Sequence, residues 1–556
     1  MIPKTAAQVL VETLALNGAT KAFGVPGESY LAVLDALVDS DIEFINARQE
    51  GGAAMMAAAH GRMTGQPGIC MVTRGPGATN ASAGVHVAFQ DSIPMILFIG
   101  QVARDQADRE AFQEIDYRRM FGQMAKWVAQ IDDASRMAEY ISRAYHTATS
   151  GRPGPVVLAL PEDMLHLPSP MPALTPYRRA EAAPTPQALL ELSERLAKAE
   201  KPFLLIGGGG WDQETCEILA GFATQNNLPV GVSFRCQDLI DNDHPNYVGH
   251  VGIGIDPNLA KTFRESDLLL VLGARLGEMT TSSYELLVPP RLDKTLIHIH
   301  ASAEELGRVY QPDLPINADV RSATRALANL GRVWGGDDSR VKALRANFEA
   351  FTTPTQVPGP VNMGEAIKVM DSLLPKDSIL CNGAGNYAIW LHRFHRYHTY
   401  GGQLAPTCGS MGFGTPAAVA ASIADPSRVA VAFSGDGCFQ MTLQEFAVAV
   451  QYGTRFIQVV VNNGMYGTIR MHQERTYPGR VSGTRLSNPD FAAMGRAMGG
   501  NGEVVERTED FGPAFARALA SDRPTLIEVR VDPEALTPAA TLSGTRDAAL
   551  KAKGKA

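Results

Sequence analysis

Two polar residues towards the carboxyl end of the chain stand where neighbouring strands are expected to end. In the stretch VAVAFSGDGCFQMTLQEFAVAVQYGTRFIQVVVNNGMYG, one apolar run ends at Asp436 between two glycines, and the next ends at Asn463. Because the carboxyl ends of parallel strands meet at one edge of a sheet, this carboxylate and this amide are expected side by side. Hard oxygen ligands of this kind suit Mg²⁺ and leave room for phosphate oxygens. A lone Gly-Asp-Gly is more often an ordinary turn. It is a far more specific indication of such a site when it follows a strand and is itself followed by a helix, a second strand and Asn-Asn.

Short apolar runs that could position such residues recur along the whole chain, often before a glycine-containing turn. Runs that are apolar on both faces are typical of buried parallel strands, and longer stretches between them have helical periodicity. The alternation predicts an α/β protein built from doubly wound parallel sheets. Strands are predicted at 69–73, 95–99, 156–160, 203–206, 268–272, 295–299, 378–381, 429–433, 456–461 and 525–531, and helices at 6–16, 30–38, 52–63, 185–199 and 443–452.

Two proline-rich segments, 167–186 and 351–360, interrupt this alternation and indicate linkers. They predict three domains, at 1–170, 187–340 and 360–535, followed by a tail at 536–556 that we expect to be mobile.

Composition excludes several classes of protein. The chain has 556 residues, too many for one compact core, with 45% hydrophobic residues and 19% charged ones. A net charge of -8 without long blocks of one sign argues against a nucleic-acid partner, and no apolar run is long enough to span a membrane. The N-terminus does not resemble a secretory signal, and six scattered cysteines without a CxxC pair suit reduced thiols in the cytoplasm.

The segment that carries Asp436 and Asn463 resembles the diphosphate-binding domain of thiamine diphosphate enzymes of the acetolactate synthase, pyruvate oxidase and 2-oxoacid decarboxylase superfamily. The resemblance implies that Asp436, Asn463 and the backbone carbonyl of Met465 bind Mg²⁺. It implies that the Gly409 carbonyl accepts a hydrogen bond from the cofactor's amino group and that Met411 supports the bent cofactor. The other cofactor contacts implied in this half are Ala384, Gly385, Asn386, Tyr387, Gly435, Gly437, Cys438, Tyr466, Gly467 and Thr468.

The stretch ARQEGGAAMMAAAHGRMTGQPGICMVTRGPGATN is similar to the pyrimidine-binding domain of the same superfamily. Glu50 stands at the position of the glutamate that activates the cofactor by sharing a proton with the pyrimidine ring. Without the downstream motif, a glutamate that opens a helix would be interpreted as a partner of the helix dipole. The other residues implied on this side are Pro26, Thr73, Pro76 and Asn80 at the cofactor, and Phe112 and Gln113 near the reacting carbon.

The middle segment resembles the superfamily's central domain, which binds FAD in acetolactate synthases and is empty in many decarboxylases. FLLIGGGGW alone is weak evidence for a dinucleotide site, so FAD is left open here. The residues that would contact it are Gly208, Gly209, Arg275, Glu305 and Asp319.

Acetolactate synthase catalytic subunits are the most similar members, over about 10–535, but several positions differ from them. Met279 replaces the second arginine of the RFDDR motif, which binds the acceptor's carboxylate, and His472 replaces a tryptophan. His472 is either a substitute in the acceptor site or an ordinary structural residue. Glu28 stands where decarboxylases have a catalytic carboxylate, although their adjacent histidine pair is absent; it is either a proton donor or a solvated turn residue.

The resemblance implies a thiamine diphosphate and Mg²⁺ enzyme that decarboxylates a 2-oxoacid, with pyruvate as the first candidate, and ligates the product to an acceptor carbonyl. It also implies a homodimer or homotetramer with sites at subunit interfaces, and leaves a regulatory subunit open. The nearest alternative is a 2-oxoacid decarboxylase or a lyase for 2-hydroxyketones or diketones with the same chemistry. The remote alternative is a non-catalytic nucleotide-binding protein that keeps the fold.

Overall fold

The structure, a computed structural model, describes residues 4–554 and contains three six-stranded sheets whose strand pairs are all parallel within that range. Helices alternate with the strands in chain order. The predicted α/β class is therefore confirmed. Within the described residues, no helix has the length and apolar character needed to cross a membrane.

The first sheet has the order β2-β1-β3-β4-β6-β5. Its strands are β1 Lys21–Gly24, β2 Glu43–Asn46, β3 Gly68–Val72, β4 Met95–Gln101, β5 Trp127–Gln130 and β6 Pro155–Pro161, with helices α1 Ala6–Leu16, α2 Leu31–Val38, α3 Glu50–Thr64, α4 Pro76–Gln90, α5 Tyr117–Phe121 and α6 Met137–Thr149. Helix α1 begins at a capping box in which Thr5 and Gln8 satisfy each other's backbone N–H groups.

The second sheet has the order β12-β11-β10-β7-β8-β9. Its strands are β7 Pro202–Ile206, β8 Val230–Ser233, β9 Tyr247–Val251, β10 Leu268–Leu272, β11 Thr295–His300 and β12 Leu314–Asn317, with helices α7 Pro186–Lys198, α8 Gln213–Gln225, α9 Pro257–Glu265, α10 Val320–Asn329 and α11 Ser339–Phe351. Strands β7 and β10 are buried at every residue, which is why they appear in the sequence as continuous apolar runs.

The third sheet has the order β14-β13-β15-β16-β18-β17. Its strands are β13 Ile379–Asn382, β14 Gln403–Leu404, β15 Ala430–Gly435, β16 Ile457–Asn462, β17 Asn501–Val505 and β18 Thr525–Arg530. Its helices are α12 Met363–Leu373, α13 Tyr387–Phe394, α14 Gly414–Ala424, α15 Asp436–Phe439, α16 Phe446–Gln451, α17 Gly467–Thr476, α18 Phe491–Ala497, α19 Thr508–Ala520 and α20 Leu542–Ala552.

The chain forms two compact units. One contains the residues up to Glu181 together with Val419–Ala424, and the other contains Ala182–Ala418 and the residues from Asp425 onward. The boundary at Glu181 falls inside the first proline-rich segment. The exact limits of the three domains stay a prediction.

The tail at 536–556 differs from our expectation of a mobile end. Helix α20 lies within it and packs against α17, and Arg546 forms an ion pair with Glu474 of that helix. The last two residues, Lys555 and Ala556, lie outside the described residues. Contacts made by α20 therefore order most of this segment.

Candidate active site

A cavity of about 240 Å³ opens at the carboxyl ends of β13, β15 and β16 in the second unit. In the third sheet, β14 lies on one side of β13 and β15 on the other, so the strand order changes direction between β13 and β15. Ligands usually bind at such a point in open parallel sheets. All the cofactor-binding residues that the sequence predicts in this half line it: Ala384, Gly385, Asn386, Tyr387, Gly409, Met411, Gly435, Asp436, Gly437, Cys438, Asn463, Met465, Tyr466, Gly467 and Thr468.

Part of the cavity wall was missed by the sequence analysis. These residues are mostly apolar and come from α12, α13, the end of β16, α17 and the segment after β18, and they are Met363, Trp390, Val461, Ile469, Val531, Ala535 and Leu536. No motif distinguishes them from ordinary core residues, so the sequence carried no signal for them.

Asp436 is buried at the bottom of this site, with 2% of its surface exposed. Its Oδ1 accepts the N–H of Gly437 at 2.8 Å, and its Oδ2 accepts the N–H of Gly464 at 2.9 Å and the Asn488 amide at 2.7 Å. Burial raises the pKa of Asp436, while these hydrogen bonds favour its ionised form. Asn488, which the sequence analysis missed, also donates to Asn462 Oδ1 at 2.8 Å and so fixes both strand ends.

The neighbouring turn brings two more oxygens to the same cavity. Asn463 Oδ1 accepts the N–H of Met465 at 3.2 Å, and Gly464 has a φ of +68, which only glycine adopts without strain. Asp436, Asn463 and Met465 thus offer a carboxylate, an amide oxygen and a backbone carbonyl. This donor set fits Mg²⁺, which prefers hard oxygen ligands.

Hydrogen bonds between side chains also fix residues that line this cavity. Thr468 Oγ1 donates to Asn386 Oδ1 at 2.9 Å, and Tyr387 OH donates to Cys438 Sγ at 3.2 Å. A Cβ on Gly437 would stand 2.5 Å from the Tyr466 ring, so only glycine fits there. The glycine of the GDG motif is therefore required by close packing as well as by access to a ligand.

The first unit carries a second cluster, at the carboxyl ends of β1, β2, β3 and β4. The residues predicted on this side lie in the segments that follow these strands: Pro26, Glu28, Glu50, Thr73, Pro76, Asn80, Phe112 and Gln113. Glu50 is the first residue of α3, and its Oε2 accepts the Asn80 amide at 2.9 Å. Its Oε1 faces Gly77, where a Cβ would stand 3.5 Å away. Oε2 of Glu50 is thus held by Asn80, whereas Oε1 faces Gly77, which has no side chain.

The turn with Phe112 and Gln113 has an unusual backbone. Gln113 has a φ of +66, and its Oε1 is buried without a hydrogen-bond partner among the described residues. The Phe112 side chain is 73% exposed. Strained backbone and an unsatisfied polar atom are typical of functional sites.

The predicted FAD residues lie at the carboxyl edge of the central sheet, where three of them contact other parts of the chain. Gly208 packs directly on the turn after β10, since a Cβ there would stand 2.1 Å from the Gly273 carbonyl oxygen. Asp319 is buried, and its Oδ2 accepts the N–H of Ala182 at 2.7 Å. Glu305 forms an ion pair with Arg308 at 2.9 Å. The remaining two residues, Gly209 and Arg275, lie in the same turns. One oxygen of Asp319, the Glu305 carboxylate and the Gly208 turn are thus engaged within the chain.

The residues that differ from typical synthases lie outside the 240 Å³ cavity. His472 is exposed on α17 and does not line the cavity, and neither does Met279. Arg470 is bound to the buried Glu474 one turn further along α17. The structure therefore does not bring His472 or Met279 to the diphosphate half of the site.

Three family descriptions match the chain. They are "Thiamine pyrophosphate enzyme, N-terminal TPP binding domain" over residues 4–120, "central domain" over 189–327 and "C-terminal TPP binding domain" over 383–529. The N-terminal match contains Glu50, and the C-terminal match contains Asp436 and Asn463.

Similar proteins of known name extend over nearly the whole chain. The acetolactate synthase large subunit of Lactococcus lactis subsp. lactis (strain IL1403) is 30% identical over 546 residues, which cover 95% of this chain and 93% of that protein. The acetolactate synthase isozyme 2 large subunit of Escherichia coli (strain K12) is 29% identical over 530 residues, 95% of each chain. A probable acetolactate synthase large subunit of Methanocaldococcus jannaschii is 29% identical over 551 residues, covering 96% of this chain and 93% of that one.

Proposed function

Because this chain belongs to the thiamine pyrophosphate enzymes, we propose that it decarboxylates a 2-oxoacid, pyruvate first, and joins the resulting two-carbon unit to an acceptor carbonyl. Thiamine pyrophosphate is thiamine diphosphate under another name. The observation that carries the proposal is the single cavity lined by every cofactor residue predicted in the C-terminal half. Relatives named acetolactate synthase support pyruvate as the donor and ligation as the outcome.

Asp436, Asn463 and the Met465 carbonyl would hold Mg²⁺ against the diphosphate. Gly437 and Cys438 at the start of α15 and the 384–387 loop would contact the diphosphate, while the Gly409 carbonyl and Met411 would orient the pyrimidine. When bound, thiamine diphosphate supplies a nucleophilic carbon for the 2-oxoacid carbonyl and holds the electron pair that carbon dioxide leaves behind.

Glu50 would exchange a proton with the pyrimidine ring through Oε1, because Oε2 is already held by Asn80. Glu50 lies in the first unit and the diphosphate cavity in the second. We propose that two copies of the chain supply the two halves of each site, in a homodimer or homotetramer. The "large subunit" in several relatives' names supports a regulatory subunit as a further partner.

A second outcome of the same chemistry is favoured by the position of Glu28. Its Oε1 lies 3.9 Å from Arg74, in the same cluster as Glu50 and Gln113. A protonated Glu28 carboxyl group there could deliver its proton to the carbanion, become a carboxylate and so release an aldehyde, as in 2-oxoacid decarboxylases and lyases. Comparing aldehyde yield between Glu28→Gln and the unchanged protein separates the two outcomes, because loss of a proton donor lowers that yield.

The direct test supplies the purified protein with thiamine diphosphate, Mg²⁺ and pyruvate, and then with a panel of other 2-oxoacids and carbonyl acceptors. Carbon dioxide and an acyloin or 2-hydroxy-2-acyl acid are expected, and Glu50→Gln should reduce both by about a hundredfold or more. Neither product from any donor would contradict the proposal.

We propose that the central domain carries no flavin, since Asp319 and the Gly208 turn are engaged within the chain. The purified protein should be colourless, and acid extraction should release no FAD. A yellow protein with one bound FAD per chain would contradict this. The proposed location is the cytoplasm, supported by six cysteines that are all free thiols, five of them buried.

A further inference from the structure

Arg74 belongs to the first unit's cluster, although neither the motifs nor the proposed mechanism gives it a role. It lies between Thr73 and Gly75 at the carboxyl end of β3, and its side chain is only 10% exposed. A buried guanidinium is costly unless hydrogen bonds and opposite charges surround it. The groups that surround Arg74 therefore indicate what it does.

Three loops meet at this guanidinium. Its Nε donates to the Phe112 carbonyl at 3.1 Å, its Nη1 donates to Glu162 Oε2 at 2.9 Å, and its Nη2 lies 3.9 Å from Glu28 Oε1. These partners follow β4, β6 and β1, so one side chain connects four strand ends of the sheet. The planar fork of arginine can make such contacts in different directions at once, whereas lysine cannot.

The contact with Phe112 lies directly before the strained residue Gln113. Asp108 and Glu110 in the same loop also have positive φ values, of 61 and 53. Each such residue costs about 1–3 kcal/mol and persists only when its surroundings hold it. Arg74 supplies one of the contacts that hold this loop.

Gly75 supplies another contact with the same loop. A Cβ at Gly75 would stand 2.7 Å from Gln113 Cβ, and the Gly75 N–H donates to Tyr117 OH at 2.9 Å. The dipeptide Arg74–Gly75 therefore contacts the Phe112–Gln113 turn and also α5, which follows it.

We propose that Arg74 is the positioning residue that fixes the Phe112–Gln113 turn and Glu28 against the loop after β3, and thereby sets the ratio of ligated product to released aldehyde. The effect on the product ratio rests on the proposed function. The effect on the loop does not, because it follows from contacts within the first unit.

The test compares Arg74→Lys with Arg152→Lys. Arg152 is a matched control: it also donates to a backbone carbonyl, that of Phe89 at 2.7 Å, and to Ser92 Oγ at 2.9 Å, but it precedes β6 at the amino edge of the same sheet. Amide hydrogen exchange of residues 108–116 is measured without cofactor. It should accelerate in Arg74→Lys and not in Arg152→Lys. Equal exchange in both variants would overturn the proposal, whatever the enzyme's substrate.

The second measurement uses the cofactor-loaded enzyme and pyruvate. In Arg74→Lys, kcat should fall roughly tenfold to a hundredfold with a smaller change in KM, because misplaced groups mainly affect the reacting geometry. The aldehyde fraction should change with it, because the positions of Glu28 and the Phe112–Gln113 turn change together. If Arg74→Lys is active and gives the same product ratio as the protein without substitutions, the part of the proposal that concerns products is wrong. If the protein without substitutions consumes no 2-oxoacid, the proposed function is wrong. The hydrogen-exchange result then still tests the role of Arg74 in the loop.

Discussion

At the scale of single residues, Asp436 combines burial with three hydrogen bonds. Three donors hold the two carboxylate oxygens, so the side chain is fixed before any ligand arrives. We expect Asp436→Ala to weaken the joint binding of Mg²⁺ and thiamine diphosphate by about tenfold to a hundredfold, since outer hydrogen bonds and metal ligands act together. Calorimetric titration with both ligands measures this.

The control for this prediction is Asp522→Asn, which changes an exposed carboxylate at the opposite end of the same sheet, before β18. Binding should be unaffected in that variant. Equal affinities of the Asp436→Ala variant and the unchanged protein would show that this carboxylate does not hold the metal.

Residues in short motifs that directly follow a strand could be predicted from the sequence. Contacts between residues far apart in the chain could not. Asp436, Asn463 and the 384–387 loop occur in short motifs that directly follow apolar strands, so the order of residues reveals them. Asn488 reaches its site through a tertiary contact across 52 positions of the chain, and nothing in the local sequence marks it. Arg74 lies in the motif after β3, but its contact with Phe112, 38 positions away, has no local signal, and neither has the left-handed backbone of Gln113.

At the scale of elements, continuous apolar runs made several buried strands predictable, although β8 and β9 were missed while buried at every residue. Strands predicted from continuous apolar runs, such as β4, β10 and β16, are buried at nearly every residue. The missed strands include the edge strands β5, β12 and β17, whose residues are partly exposed. Because half-exposed edges carry polar residues and are short, they lack the apolar run on which the prediction relies.

The contact between α17 and α20 depends on a buried carboxylate. Glu474 is 1% exposed in its side chain, and it binds Arg470 and Arg546 and accepts the N–H of Gly479. The hydrogen bonds from Arg546 lower the pKa of Glu474 from 4.5 to about 2. We expect Glu474→Gln to lower the free energy of unfolding at neutral pH by about 3 kcal/mol, because it removes the buried carboxylate that both arginines bind, and the Arg470 side chain is only 13% exposed.

The pH dependence of this effect follows from the direction of the pKa shift. The folded pKa lies below the ordinary value, so the stabilisation is complete above pH 4.5 and is lost as pH falls towards about 2. The difference between Glu474→Gln and the unchanged protein should therefore shrink across that interval in denaturant titrations. Glu503→Gln is the control: it breaks an exposed pair with Arg517 and should cost about 1 kcal/mol or less. Equal effects of the two substitutions would contradict the importance of the α17–α20 contact.

At the scale of the whole molecule, the first and third sheets share one topology. Numbered within each sheet, their strands follow the order 2-1-3-4-6-5, whereas the central sheet follows 3-2-1-4-5-6. Both candidate half-sites lie at carboxyl ends of strands, one with Glu50, which we propose exchanges a proton, and the other with Asp436, which we propose binds the metal. The same strand order thus supports two different tasks, set by the loops that follow the strands.

The proposal that each site combines two copies predicts a specific complementation. Glu50→Gln and Asp436→Ala chains with different tags are co-expressed, and mixed dimers that carry both tags are purified. If the halves come from different copies, one site in each mixed dimer contains both substitutions and the other contains neither, so activity should recover to about half of the unchanged value. Dimers of either single variant should stay inactive. If both residues act within one copy, no site is intact in any combination, and the mixed dimers should be as inactive as their parents.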